Sequence, residues 1–306
     1  MCPLLGGHSA ILDAKTGVFT VNLSKYHDTM ATDPKEPLRQ DTNSTANGDN
    51  PDTWPEVPRM LRESDFLLPP PWQEVFGPLR KGLVDDMVIV GQCGQSIDAR
   101  IATASGHSHY INGAAGLAHL HRLRALVDAV VIGVGTAQAD DPQLTVRRVA
   151  GPNPARVVID PNGRLATTAR VLADDGVCRL VITRTETPHS LPAGVEVVKL
   201  AATDGQLAPA AVLAALAQRG FRRILIEGGS NTVSRFLAAG CLDRLHVMIA
   251  PMIIGAGPSS VSLAPIERVD EAIKAPMRVH VLGEEVLLDC DLSAQRIGIG
   301  MAKKST

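Results

Sequence analysis

The stretch ILIEGGSNTVSRFLAAG, residues 224–240, gathers residue types suited to anion chemistry. An apolar run ends at Glu227, Gly228 and Gly229 make a close turn, and a helical pattern begins around Ser230 to Thr232. Backbone amides at such a helix start can cradle a phosphate, and glycine leaves no side chain in the way. A purely structural turn would use the same glycines for their positive φ. The segment matches neither GxGxxG nor GK[ST], so its spacing leaves both readings open. Glu227 stands at the carboxyl end of a predicted strand, where open α/β sheets place ligand groups; a helix-capping carboxylate would stand there too.

A second group is GVGTAQADDPQLTVRR, residues 133–148. Thr136 can donate and accept a hydrogen bond, and Asp140, Asp141 and Pro142 read as a stiff loop entry. Arg147 follows closely enough to bind a phosphate or to pair with Asp140. The paired acids lack a full Mg²⁺ ligand set, which leaves a ligand-facing loop or ordinary loop capping. His121 and Arg124 are three apart on a predicted helix and can share a side, either facing a ligand or forming a solvated basic face. SGHSHYI, residues 105–111, offers Ser108 and two alternating histidines, weak evidence for zinc without a third ligand. GQSID is no nucleophile elbow, and none of the five cysteines has a convincing local His partner. From these residues alone the chemistry reaches an anion-binding α/β enzyme and stops short of a reaction.

The elements that must position these groups are regular from residue 84 onward. Predicted strands are VDDMVIVGQC (84–93), DAVVIG (128–133), ARVVID (155–160), CRLVIT (178–183), VEVVKL (195–200) and RRILIE (222–227). Helices are predicted at 113–127, where Leu117, Leu120, Leu123 and Val127 recur on a face, at 209–219 and at 230–239. LHVMIAP, PMRVHVLG and EVLLDCDL then follow as closing strands without intervening helices. This order predicts an α/β fold: a mixed, mostly parallel sheet flanked by helices, with antiparallel closing strands. Residues 27–58 read as loop or linker, and Trp72, Phe76 and Leu79 predict a short helix within 63–80. The expected division is an irregular amino-terminal extension (1–83), a main domain (84–295) and a tail (296–306).

Composition narrows the partners. A net charge of -2 argues against a protein built around nucleic acid or an anionic membrane. Aromatic residues at 3% disfavour a stacking platform for single strands. The cysteines show no CxxC and an odd count, so no disulfide scaffold or zinc ribbon is expected. No apolar stretch reaches 18 residues, and the expected location is the cytoplasm.

Taken together, VGQCGQSIDARIATASGHSHYI, HRLRALVDAVVIGVGTAQADDPQLTVR, ARVVIDPNGRL and ILIEGGSNTVSRFLAAGCLDRLHVMIAPMIIG resemble, in order and spacing, the riboflavin-biosynthesis pyrimidine reductases. That family includes the carboxy-terminal half of the bacterial bifunctional deaminase–reductase, and the resemblance covers residues 84 to 292. It implies a dihydrofolate-reductase-like fold and NADPH-dependent reduction of 5-amino-6-(5-phosphoribosylamino)uracil by hydride transfer to ribose C1′. It also implies substrate contacts from Ser108, Arg124, Leu144, Arg147 and Glu227, with Arg124 and Arg147 on the phosphate. Glu227 is the candidate catalytic residue, as proton donor in competition with water. Cofactor contacts are implied for Gly94, Tyr110, Thr136, Asp140, Pro161 and the run Gly229, Ser230, Asn231, Thr232, Val233, Ser234 and Arg235.

Two positions depart from the family pattern. In SxDGR the glycine is Ala99, tolerable at negative φ and costly at positive φ. Tyr110 stands where Trp is frequent. Residues 1–83 carry no H-x-E followed by P-C-x-x-C, so zinc-dependent deamination is not expected and a separate deaminase would supply substrate. A homodimer is implied by the resemblance. The competing readings are a reductase of a related phosphorylated compound, a non-catalytic nucleotide-binding protein on this scaffold, and a metal hydrolase in which Asp140, Asp141 and His residues converge.

Overall fold

The computed structural model describes residues 51–63, 65–108 and 111–301, together with two short strands nearer the amino terminus. These are β1 (Ala10–Leu12) and β2 (Phe19–Val21), an antiparallel pair within a first unit, Met1–Asn47. The second unit is Gly48–Thr306. It holds β3 (Val88–Ser96), β4 (Ala129–Gly133), β5 (Ala155–Ile159), β6 (Arg179–Arg184), β7 (Val195–Leu200), β8 (Arg223–Ile226), β9 (Arg244–Ala250), β10 (Met277–Leu282) and β11 (Glu285–Asp291).

These nine strands form one sheet in the order β10-β11-β9-β3-β8-β4-β5-β6-β7. All neighbours are parallel except β9–β11 and β11–β10. The strands read as continuous apolar runs because both faces of the sheet are covered. Val88, Val90, Val130, Ile132, Val158 and Leu225 enter one core; Ile89, Ala129, Val131, Val157, Ile159, Ile224 and Ile226 enter the other. The period of two thus sorts neighbours to opposite sides.

Six helices complete the described residues: α1 (Val57–Glu63), α2 (Trp72–Phe76), α3 (Ala114–Leu126), α4 (Val134–Asp140), α5 (Pro209–Ala217) and α6 (Ser230–Ala238). α1 and α2 share a core with Leu123 and Leu126 of α3, whereas Leu213 and Leu216 of α5 and Val233 and Phe236 of α6 fill the other. Trp72, Phe76 and Leu79 are all buried, as their spacing predicts.

Three local expectations need correction. Residues 51–58, assigned to the linker, are helical, and Trp54, Val57 and Leu61 pack in the same core as the sheet. Polarity had masked the few apolar anchors. The first main strand starts at Val88 rather than residue 84, because Asp85 and Asp86 take φ of 57° and 55° and turn the chain, with Met87 N donating to Val84 O. Residues 134–140 are a helix rather than a loop, closed by Asp141 in the left-handed conformation.

Candidate functional site

A cleft of about 920 Å³ opens beside the carboxyl ends of β4, β5 and β8 and the start of α6. Parallel strands deliver loops to one edge of the sheet, which is where such folds place ligands. The volume lies within the range of small-molecule and cofactor sites.

At the α6 start, Gly228 has φ of 89°, and a Cβ there would meet Thr136 Cγ2 at 2.8 Å. Gly229 N donates to Thr136 Oγ1 at 2.8 Å, which fixes the turn against α4. Ser230 and Asn231 follow in the first helical turn, where backbone amides have no intrahelical acceptor. Gly133 allows the same close packing, since a Cβ there would lie 2.5 Å from Thr232 Oγ1. The result is a cradle of backbone without side-chain obstruction.

Arg124, in the last turn of α3, meets Glu227 in a buried two-pronged ion pair. Nε donates to Oε1 at 2.9 Å and Nη2 to Oε2 at 2.5 Å, while Nη1 donates to Thr145 O at 3.2 Å. His121 is also buried, and its Nδ1 accepts the Arg147 backbone N–H at 2.9 Å. His121 and Arg124 therefore form no solvated basic face. Burial, then Arg124, Arg147 and Arg148, push the His121 pKa down to about 4. Its neutral ring can accept that bond.

The Arg147 guanidinium is exposed, bonded to Gln143 and to Thr145 Oγ1, with Arg124, Arg148 and Arg170 acting on it electrostatically. Burial and those like charges lower its proton affinity. A local positive field therefore stands beside the cleft although the whole chain is near neutral.

The cleft wall includes Ser108, Arg124, Leu144, Glu227, Gly94, Thr136, Asp140, Pro161, Gly229, Ser230, Asn231, Thr232 and Arg235. Leu144 is buried with φ of 56°, an uncommon conformation for a branched side chain, held by core packing on one side and the cleft on the other. Arg147 is not on the wall. Val233 is fully buried in the core, and Ser234 Oγ accepts from Ser262 N at 2.8 Å, so these two face inward from the α6 segment. Tyr110 lies outside the described residues. Asp141 does not join Asp140: its Oδ1 accepts Arg170 N at 2.8 Å. Among the described residues, no three His, Cys, Asp or Glu side chains come together as a metal site.

Sequence reasoning passed over Gln92, Arg164, Gln206 and Ser260, all on the wall. Only Arg164 carried a signal, as a cation just after the end of a predicted strand. Ala99 takes φ of 63°, the costly case. The turn is retained by a web around Asp98, which accepts Ser96 Oγ at 2.6 Å and the amides of Ile254 and Gly255 at 3.0 and 2.7 Å. Those donors lower the Asp98 pKa to about 2.

The sequence matches the RibD C-terminal domain over residues 87–288. The 2,5-diamino-6-ribosylamino-4(3H)-pyrimidinone 5′-phosphate reductase of Methanothermobacter thermautotrophicus is 35% identical over 213 residues, 66% of this chain and 96% of that protein. The riboflavin biosynthesis protein RibD of Aquifex aeolicus is 33% identical over 199 residues, 63% of this chain and 54% of that one. The crystal structure of the Thermotoga maritima diaminohydroxyphosphoribosylaminopyrimidine deaminase/5-amino-6-(5-phosphoribosylamino)uracil reductase aligns with a TM-score of 0.58 and 26% identity, covering 72% of this chain and 59% of that one. The match thus spans nearly all of the archaeal reductase but little more than half of the two longer proteins. The nine-stranded sheet is the dihydrofolate-reductase-like arrangement of RibD reductase domains. This chain belongs to the RibD C-terminal domain family.

Proposed function

We propose that this protein is an NADPH-dependent oxidoreductase of riboflavin biosynthesis that reduces 5-amino-6-(5-phosphoribosylamino)uracil to the ribitylamino phosphate. The observation that carries the reading is one cleft holding both an open backbone cradle at the α6 start and the buried Arg124–Glu227 pair. The cradle suits a dinucleotide: Gly228 and Gly229 leave the approach clear, and Ser230 and Asn231 offer amides to a diphosphate. When bound, the nicotinamide supplies the hydride that reduces ribose C1′.

The chain's own groups do the positioning. Both Glu227 oxygens accept from Arg124, so the carboxylate presents its remaining lone pairs to substrate hydroxyl or N–H groups. Donating a proton from Glu227 would require breaking that pair, which favours water as the proton source. Arg147, bordered by Arg124, Arg148 and Arg170, supplies the field for the 5′-phosphate. Ser108 and Leu144 close the wall near the sugar, and exclusion of water there strengthens each polar contact.

The identity of the base has a specific second reading. The match spans 96% of an archaeal protein named for the 2,5-diamino pyrimidinone, which favours testing that compound beside the uracil. Use of the uracil form would require a deaminase upstream, assigned here to a separate protein. Two copies of the chain are further proposed to pair through the antiparallel end of the sheet.

Anaerobic incubation with NADPH and each pyrimidine phosphate, followed by nicotinamide absorbance and product mass, tests the function. Turnover of the uracil compound to a product two hydrogens heavier is expected. Turnover of the diamino compound alone would reassign the base, and dinucleotide binding without turnover of either would leave a nucleotide-binding protein.

A further inference from the structure

A second hollow, of about 270 Å³, lies at the amino ends of β3, β4 and β8, on the edge of the sheet opposite the cleft. It shares no wall residue with the cleft. Its wall carries the cations Arg80, Lys81, Arg222 and Arg223 and the acids Asp86 and Asp128. The chain as a whole has a net charge of -2, so the positive excess belongs to this place and not to the composition. We propose that this hollow is a second anion site, which takes a phosphate dianion, either free or as the head of a small monoester.

The acids are outweighed, and Asp128 is already committed to the fold. Its Oδ2 accepts the Arg222 and Arg223 amides, each at 2.8 Å, at the turn into β8. Its Oδ1 stands 3.6 Å from Arg223 Nη2, an ion pair too long for a hydrogen bond. Arg223 Nη1 reaches Arg80 O only at 3.5 Å, and Nε is buried with no hydrogen-bond partner among the described residues. A guanidinium has five N–H donors, and a partly buried one left with such long contacts is a place where an ion is expected. Lys81 is exposed, and no described residue makes a hydrogen bond or ion pair with its ammonium. Arg62 adds to the field: its Nη2 donates to Val127 O at 3.1 Å, and Asp128 and Arg223 both act on its charge. Asp86, exposed on the wall, is the carboxylate left to oppose an anion.

The scaffold holds these groups in place. Val88 N donates to Arg222 O and Asp128 N to Arg223 O, both at 2.8 Å, which locks the three strand starts together. Arg80 is tied by Nη1 to Met60 O at 2.9 Å and by Nη2 to Phe66 O at 2.7 Å, and Arg222 by Nη1 to Ala217 O at 2.8 Å. The turn after Lys81 is tight, since a Cβ on Gly82 would lie 1.6 Å from Met87 O. Gly220 has open space where a Cβ would stand and leaves its side of the hollow unobstructed. Cations on a fixed frame lose little freedom on binding, and arginine forks match phosphate oxygens in pairs. Arg80 and Arg222 thus supply field, while Arg223 and Lys81 supply donors. The volume falls just short of the usual range for organic ligands, which suits a phosphate with at most a short stem.

The test is titration of the isotope-labelled full chain with inorganic phosphate and with glycerol 3-phosphate, read from backbone amide resonances. Amides of Lys81, Gly82, Gly220 and Arg223 report this hollow, and those of Gly229 and Ser230 report the cleft separately. Saturable shifts are expected in the first group. Lys81→Glu should raise the phosphate Kd about 10-fold or more, because it removes an attraction and adds a repulsion. Asp86→Asn should lower it severalfold, and asparagine tolerates the left-handed backbone that Asp86 holds at φ of 55°. Both side chains are exposed, so neither change disturbs the core. The tighter of the two ligands identifies the source as monoester or free ion. Shifts confined to the cleft amides, or equal binding by the original chain and both variants, would overturn the site; the reductase reading stands in either case.

Discussion

Arg124 and Glu227 stand 103 residues apart in sequence and meet in the cleft wall through two hydrogen bonds. Each was legible as a candidate site residue, one on a helix face and one at a strand end. Their union was not, because contact across that separation depends on β4 and β8 lying side by side. The pair changes what a single substitution reports. Removing Arg124 leaves a buried carboxylate unpaired, at a cost of about 3–5 kcal/mol. Arg124→Ala should therefore lower the urea midpoint as well as activity, whereas Arg124→Met with Glu227→Met should regain much of the stability and none of the activity. Additive destabilisation in that cycle would mean that the two side chains act independently. Ala99 shows the opposite limit of sequence reading. The departure from glycine was visible, but its cost depended on a φ that only the fold sets; at 63° it is about 1 kcal/mol or more.

The helix α3 carries Arg124 to the cleft, and what seats this helix was largely hidden in the sequence. Glu285, on β11, accepts Asn112 Nδ2, Gly113 N and Gly116 N at 2.8, 3.0 and 2.6 Å, and so caps the helix start from a distant strand. Gly116 permits that approach, since a Cβ would lie 2.7 Å from Glu285 Oε1. The apolar period located the helix within a residue at each end but was silent on its polar contacts. His121, for which the sequence left a ligand-facing side and a solvated basic face both open, is buried, and so is His119. Burial and then His246 hold the His119 pKa well below its ordinary 6.5, and the His121 value is about 4. The unfolded chain therefore binds these protons first as the pH falls. Stability should be full above about pH 6.5 and decline toward pH 4, through both histidines. Urea midpoints across that range test this, and His121→Asn should flatten part of the slope. A slope unchanged by the substitution would remove His121 from the account. The segment 134–140 illustrates a different gap: glycines and a DD pair suggested a loop, yet packing of Val134 and Ala137 into the core makes it α4.

At the scale of the whole molecule, a mixed sheet with antiparallel closing strands was readable from the succession of apolar runs, whereas the strand order, and with it any association surface, depends on which strands pair and which end at an edge. β10 is that edge, and Met277, Val279 and Val281 are each more than half exposed. Val279 pairs with Leu288 and Val281 with Val286, so these side chains share a face. The face continues to Val247 and Ile249 of β9, which pair with Leu288 and Val286 and are only partly buried. The alternate residues Glu285, Leu287 and Asp289 are buried, so the opposite side of this sheet end is already covered. A contiguous apolar surface across three strands is costly to leave in water and is a usual mark of association. A second copy would satisfy it with the same surface, since a twofold interface joins like patches. Sedimentation of the full chain should give a dimer, and Val279→Lys with Val281→Lys should give a monomer with unchanged far-ultraviolet circular dichroism, because burying two charges at an apolar contact is prohibitive while exposing them is not. NADPH binding should survive in that monomer, since none of these residues lines the cleft. A double variant that remains dimeric would move the interface to another surface.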